Sequence, residues 1–298
     1  VINALLLLVT ILAWVYSREG NLKDLNELFK IYPIIFSVTA FLIVIFISFN
    51  LKDSINFKNY FSDIKDYFIF SIPIFFSQYI GSFGRKISLI IIVPFISQEA
   101  FAIYANGAFE VPFIAIVASS AIAVISPEFI RYFKAGKLSD SLNLWRRASL
   151  KSCLIIFPIF IFLFIEANDV LIILFSEKYI DSALTFRCFL LLMPLQAVFF
   201  GLIFIAAKKP KLLLLRSSIT TLTSLIITYI ICAKFNPMYA PLGIVISVYF
   251  WALPYNIYFF KKITRYSVKE YLPLNKLFKL FVFSLISYIP ILFIDFLI

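Results

Sequence analysis

The sequence predicts an all-α polytopic membrane protein of about nine transmembrane helices, on three observations. Hydrophobic residues make up 62% of the chain and charged residues 14%, with a mean hydropathy of +0.99, which leaves too little polar surface to enclose a soluble core of this size. Apolar stretches long enough to cross about 30 Å of hydrocarbon, roughly 20 helical residues each, recur between short polar breaks. Lysine and arginine concentrate in alternate breaks, as they do on the cytoplasmic side of membrane proteins.

The expected spans are 1–16, 31–50, 67–97, 100–126, 152–167, 183–207, 212–232, 238–260 and 278–298. One such span could be a signal peptide; nine cannot. A transmembrane β-barrel needs shorter, strictly alternating segments, whereas Leu5 to Leu8, Leu212 to Leu215 and Leu225 to Ile231 are nearly continuous apolar runs. Val1 stands inside an apolar run and Ile298 inside another, so the chain reads as a fragment. Cys153, Cys188 and Cys232 all fall in hydrophobic spans without Cys-x-x-Cys spacing, and are expected as small buried apolar residues.

The breaks at 51–66, 127–151, 208–216 and 261–279 carry 19 of the 27 basic residues, and those at 17–30, 97–100, 168–182 and 233–241 carry 5. One missed span would scramble this parity. The basic loops therefore face the cytoplasm, Ile298 lies toward the outer side, and the net charge of +11 is explained by topology. Nucleic acid is not an expected partner. The basic loops either only orient the chain or also hold anionic membrane lipids, at about 1 kcal/mol per residue. Between 51 and 66, Ile55, Phe57, Phe61 and Ile64 alternate with charged residues, which suits an amphipathic segment on the cytoplasmic interface.

The chain has no histidine, so histidine general bases and histidine metal ligands are excluded. Its seven glycines form no phosphate-cradling loop and no P-loop appears, so no ATP hydrolysis, metal or cofactor is expected. The outer loops are short and carry no acidic cluster suited to a sugar donor, so no enzymatic activity is expected. What remains is transport.

An ionisable group at membrane depth costs at least about 2.5 to 3.5 kcal/mol and asks for a partner or a wet cavity. Arg85 and Lys86 sit near the middle of 67–97, just after Gly81 and Gly84, in a stretch too long for one straight crossing. A bend or break near the glycines is expected there, giving a cationic helix suited to an anionic substrate such as a pyrophosphate. The alternative is a loop that splits the stretch in two. Glu110, two residues before Pro112, is a candidate counter-ion for Arg85 or Lys86, a proton-coupling carboxylate or a structural salt-bridge partner. Arg187, about a turn inside 183–207, either snorkels to the outer face or lines a cavity. The candidate substrate-binding residues are thus Arg85, Lys86, Glu110 and Arg187, with no catalytic residue. Glu166 and Asp295 are placed at outer span ends. Trp14 and Trp145 are placed near the interfaces, as an aromatic belt expects, and Trp251 deeper.

The order of these elements resembles the polysaccharide transporter branch of the superfamily that also holds multidrug and toxin extruders and the lipid II flippase. The stretch Ile69 to Ile96 with Arg85-Lys86 at its middle, the turn with Glu99-Ala100 and then Ile103-Tyr104-Ala105 are similar to the start of the second six-helix bundle of O-antigen flippases. Ile172-Ile173-Leu174-Phe175-Ser176-Glu177-Lys178-Tyr179 resembles that family's apolar run ending in a Phe-Gly-x-x-Tyr-like pattern. There the ionic pair is commonly Asp-Arg, and Ser176 stands where Gly is usual. Arg85 in place of an acid cannot bind a coupling cation, though it strengthens attraction for a phosphate.

The resemblance covers roughly 67–260 and implies four divisions. Residues 1–50 would be the last two helices of a truncated first bundle and 51–66 the cytoplasmic linker. Residues 67–260 would be a complete second six-helix bundle, and 261–298 a connector and an additional helix. It implies a flippase that takes a polyprenyl-pyrophosphate oligosaccharide, an O-antigen or related repeat unit, across the inner (cytoplasmic) membrane by alternating access. Its partners would be that lipid-linked oligosaccharide, membrane lipids, and a glycan polymerase or glycosyltransferases. The alternatives are a multidrug or small-amphiphile exporter, an O-antigen polymerase or ligase, and a structural or assembly subunit.

Overall fold

Wherever a chain meets hydrocarbon, its backbone polar groups must be satisfied internally, and a helix does this within one segment. The computed structural model describes residues 60–297 together with Ser37, Phe41 and Ile45, and every regular element among these residues is helical. The protein is an all-α polytopic membrane protein. It divides into two compact units, Val1–Asp66 and Tyr67–Ile298, and the contacts below are those of the second. The spans expected at 1–16 and 31–50, Trp14 among them, and the linker up to residue 59 lie outside the described residues, apart from the three positions named. Residues 60–66 are helical and form the first turns of a helix that runs to Ile92.

In chain order the helices are α1 (Tyr60–Ile92), α2 (Gln98–Gly107), α3 (Pro112–Lys134), α4 (Leu138–Ile165), α5 (Ala167–Phe175), α6 (Ser182–Leu190) and α7 (Met193–Gln196). There follow α8 (Phe200–Ala206), α9 (Pro210–Lys234), α10 (Leu242–Ser247), a π-helical turn (Val248–Ala252), α11 (Leu253–Thr264), α12 (Val268–Tyr271) and α13 (Leu274–Leu297). Among the described residues four stretches are long and apolar enough to cross a membrane: Gln98–Lys134, Leu138–Ile165, Pro210–Lys234 and Pro237–Thr264. Ser182–Gln196 with Phe200–Ala206, bent by 45°, makes a fifth if counted as one span. Helices α1 and α13 occupy the remaining expected positions at 67–97 and 278–298.

The structure departs from the sequence reading in where the chain breaks. The glycines of 67–97 do not interrupt α1, which is a single helix of 33 residues containing Gly81 and Gly84. The interruption falls one span later, at Ala108–Val111, between α2 and α3. Its cause is local: Pro112 opens α3, where a missing N–H costs nothing, and it holds Val111 in an extended conformation at φ −74°, ψ 102°. The basic loops are also shorter than expected. Arg131 and Lys134 end α3, Arg146, Arg147 and Lys151 lie on α4, and Lys211 and Arg216 lie on α9, so the helices run on past their apolar stretches.

Helix α4 is the hub, packing against α3, α5, α6 and α13. At one end Phe157, Phe160 and Ile161 meet Leu171, Phe186 and Leu190; at the other Trp145 meets Phe129, Phe200 and Phe260. Trp145 is no interfacial belt residue. It is completely buried, its Nε1–H donates to the Phe199 carbonyl at 3.2 Å, and its ring lies 5.3 Å from Phe260 and 5.8 Å from Phe200. The three cysteines are buried and free.

Lipid tails are as apolar as leucine, so helices in a membrane associate through small residues and short polar side chains. Ser182 Oγ donates to the Ile103 carbonyl at 2.6 Å where α6 meets α2, and Gly107 packs against the Ser182 carbonyl and Thr185 in the same crossing. Where α9 meets α10, Thr228 Oγ1 donates to the Ala240 carbonyl at 3.3 Å.

Ser176, which ends α5, has φ 96° and ψ 164°, a region that glycine alone enters without strain. Ser176 thus stands in a backbone conformation that suits the glycine usual in the Phe-Gly-x-x-Tyr-like pattern. Ser176→Gly is expected to stabilise the protein by about 1 kcal/mol, the strain relieved minus the entropy of a more flexible unfolded chain. Thermal unfolding in detergent checks this; an unchanged or lower midpoint would show that the turn holds serine without strain.

Candidate functional site

A helix crossing a membrane beside others has one face packed on its neighbours and others that meet lipid or water. On α1 the packed face is read from Pro73, Ser77 and Gly84, all buried. Gly84 allows the close approach, since a Cβ there would run into the Thr221 side chain of α9, and Thr221 Oγ1 reaches the Ile80 carbonyl at 3.5 Å.

A second face of α1 carries Ser71, Gln78, Ser82 and Arg85, which the helical repeat returns to one side. Gln78 and Arg85 are exposed, Ser71 and Ser82 partly so. Acyl chains give such groups no hydrogen bonds, so a polar stripe on a helix packed among membrane spans belongs against water or other polar groups.

Arg85 Nε lies 3.0 Å from Glu110 Oε1, and the two side chains are 51% and 75% exposed. Glu110 sits in the break between α2 and α3, and non-helical backbone at membrane depth is tolerated where it lines a water-filled cavity or is buried in protein. The site therefore combines an unbroken helix bearing a cation with a discontinuous span bearing an anion. Both side chains are at least half exposed, and against water such a pair contributes about 0–1 kcal/mol to stability, so that a ligand can separate its members at small cost.

Lys86 is exposed and makes no ion pair among the described residues. It presents its charge on the side of α1 next to the stripe.

The fourth candidate lies elsewhere. Arg187, on α6, donates from Nε to the Phe164 carbonyl at 2.9 Å and from Nη2 to the Ile165 carbonyl at 3.1 Å. Those carbonyls end α4, where a helix has acceptors without partners and the negative end of its dipole, so Arg187 ties α6 to α4 as a cap.

The structure adds a cation that the loop count hides. Arg216 falls among the basic residues of 208–216, but Pro210 starts α9 and carries Arg216 well into the helix, where it is partly buried. Its Nη1 donates to Oδ1 of the buried Asn256 at 3.2 Å, and no carboxylate pairs with it among the described residues. Asn256 comes after the π-helical turn, whose extra residue per turn changes which side chains α11 presents to α9. The signal for this residue is Pro210, a helix-opening residue inside a stretch that composition alone marks as loop.

Known proteins give this geometry a context. No solved structure matches the chain. It is 25% identical over 256 residues to the capsular polysaccharide biosynthesis protein CapF of Staphylococcus aureus, an alignment covering 84% of this chain and 63% of that protein. The chain thus spans less than two thirds of that relative's length. Residues 28–184, which include α1, the broken span and the Arg85–Glu110 pair, match the family model described as polysaccharide biosynthesis protein, and the chain belongs to that family.

Proposed function

We propose that this chain is part of a flippase that moves a polyprenyl-pyrophosphate-linked oligosaccharide across the cytoplasmic membrane by alternating access, without making or breaking a covalent bond. The observation that carries the proposal is the Arg85–Glu110 pair, at least half exposed, which joins α1 to a broken span in a polysaccharide biosynthesis protein. A polar, ionisable surface at membrane depth is what a transporter needs to pass a charged, hydroxyl-rich headgroup while its lipid tail stays in the bilayer. Arg85 and Lys86 hold the phosphates. Glu110 occupies Arg85 when no substrate is bound, which compensates that cation at low cost and leaves Lys86 to attract the phosphates. The basic helix ends orient the chain with its first described helix rising from the cytoplasm. Glycosyltransferases that build the substrate and a polymerase that consumes it are the partners of this reading.

The test is transport by the full-length protein in proteoliposomes containing a labelled polyprenyl-pyrophosphate oligosaccharide. The expected result is protein-dependent appearance of the sugar on the opposite leaflet, scored by accessibility to a membrane-impermeant glycosidase. No transfer above protein-free vesicles would sink the reading.

A further inference from the structure

Beside the polar stripe, α1 presents a third surface. Phe75, Tyr79 and Phe83 succeed one another at four-residue intervals and are 61%, 53% and 50% exposed. Their rings stack nearly parallel, 6.0 Å apart with an angle of 16° for the first pair and 5.8 Å apart with 11° for the second. Lys86 lies seven residues after Tyr79 and three after Phe83, so an exposed cation shares this face with the rings.

Two environments suit exposed aromatic rings in a membrane protein, acyl chains and a wet site. Ile72 and Phe76 on this side are apolar and exposed as well, and it is the charged and polar neighbours that favour the wet site. A lysine on the ring face and Arg85 on the adjoining face would each cost at least about 2.5 kcal/mol against lipid at mid-depth, and Gln78 beside Arg85 would lose its hydrogen bonds there. A pyranose has the complementary make-up: a C–H face that stacks on aromatic rings and a rim of hydroxyls that bonds to Gln78, Ser82 and Ser71. A sugar joined to a pyrophosphate adds the anion that Lys86 attracts.

We propose that the Phe75–Tyr79–Phe83 ladder is a glycan subsite, which holds the oligosaccharide of a lipid-linked substrate while Lys86 and Arg85 hold its phosphates. The subsite rests on the flippase reading for its substrate, but its recognition of the sugar is a separate property. It makes the rings responsible for the length of glycan preferred and the cations for the carrier.

The experiment compares two substrates in proteoliposomes of the full-length protein: the polyprenyl-pyrophosphate carrying one sugar, and the same carrier with the whole repeat unit of the source cell's surface polysaccharide. Replacing the three rings by leucine keeps the surface apolar and helical and removes the stacking together with the Tyr79 hydroxyl, whose share Tyr79→Phe measures. Transport of the repeat unit is expected to fall about tenfold, with single-sugar transport within about twofold of wild type. Equal loss of both substrates, or loss of neither, overturns the subsite. A wild-type protein that moves neither substrate overturns the flippase reading instead. The subsite is then judged by binding: Tyr79→Trp in detergent is expected to show a saturable fluorescence change with the free repeat-unit oligosaccharide, and a flat response would refute it.

Discussion

Arg85→Glu is expected to lower transport of the lipid-linked oligosaccharide about 100-fold, with the protein still present in the membrane at its normal level. The magnitude comes from losing charge-assisted hydrogen bonds to a phosphate, about 1.5–3 kcal/mol each, at about 1.4 kcal/mol per tenfold. The level is preserved because the Arg85–Glu110 pair is 51% and 75% exposed and holds little of the fold together. The decisive variant is the charge swap, Arg85→Glu with Glu110→Arg. A purely structural pair would be restored by it, and transport would return. If the cation must stand on α1 to meet the phosphate, the swap leaves transport as low as the single change. Glu110→Gln separates the roles further: as a placeholder for substrate phosphate, Glu110 can be neutralised with transport kept within a few-fold and substrate binding tightened. Loss of transport by Glu110→Gln equal to that of Arg85→Glu would instead make the carboxylate a working part of the cycle, as proton coupling requires.

The pairing of Arg85 with Glu110 is legible in the sequence because both are ionisable groups in apolar stretches, and the cost of burying either alone forces a search for a partner. Fold class is legible for a related reason: apolar content and the parity of the basic residues are global properties that no local rearrangement disturbs. Breaks are harder to read. Gly81 and Gly84 suggest a break in α1, yet glycine only permits a bend, and Gly84 is used to bring α1 close to α9. Pro112 is one of many prolines in the apolar stretches, while its effect on Val111 is what opens the span beside Glu110. Trp145 misleads because distance from a span end says how deep a residue lies and nothing about its direction around the helix, and it faces the core beneath Phe199. The same distance leaves open what Arg187 reaches, which is the end of α4. The aromatic ladder is hidden for the opposite reason. In a chain with 37 phenylalanines and 16 tyrosines, three stacked, exposed rings on one face stand out only once the packed face and the polar face of α1 are known.

Gly243→Ala is expected to be among the most damaging single-methyl additions in the protein. A Cβ at Gly243 would run into Thr228 Oγ1 and come within 2.9 Å of both the Ser224 carbonyl oxygen and the Thr228 nitrogen. Two of these three are backbone atoms of α9, so no side-chain rotation relieves the clash and α9 and α10 must move apart. Separation would lengthen the bond from Thr228 Oγ1 to the Ala240 carbonyl, now 3.3 Å, and loosen the small-residue contact on which helix association in lipid depends. The cost is about 1–3 kcal/mol or more, a large share of a typical folding free energy. Gly81→Ala is the control, since nothing lies within 4 Å of a Cβ at that position and alanine is the better helix former by about 1 kcal/mol. Thermal unfolding in detergent should therefore separate two identical chemical changes in opposite directions, down for position 243 and level or up for position 81. Adding Thr228→Ala to Gly243→Ala is expected to recover only part of the loss, because it removes the hydroxyl and leaves the backbone contacts in place. Full recovery would mean that the helices meet through that side chain alone, and that the α9–α10 crossing is looser than the close approach at Gly243 implies.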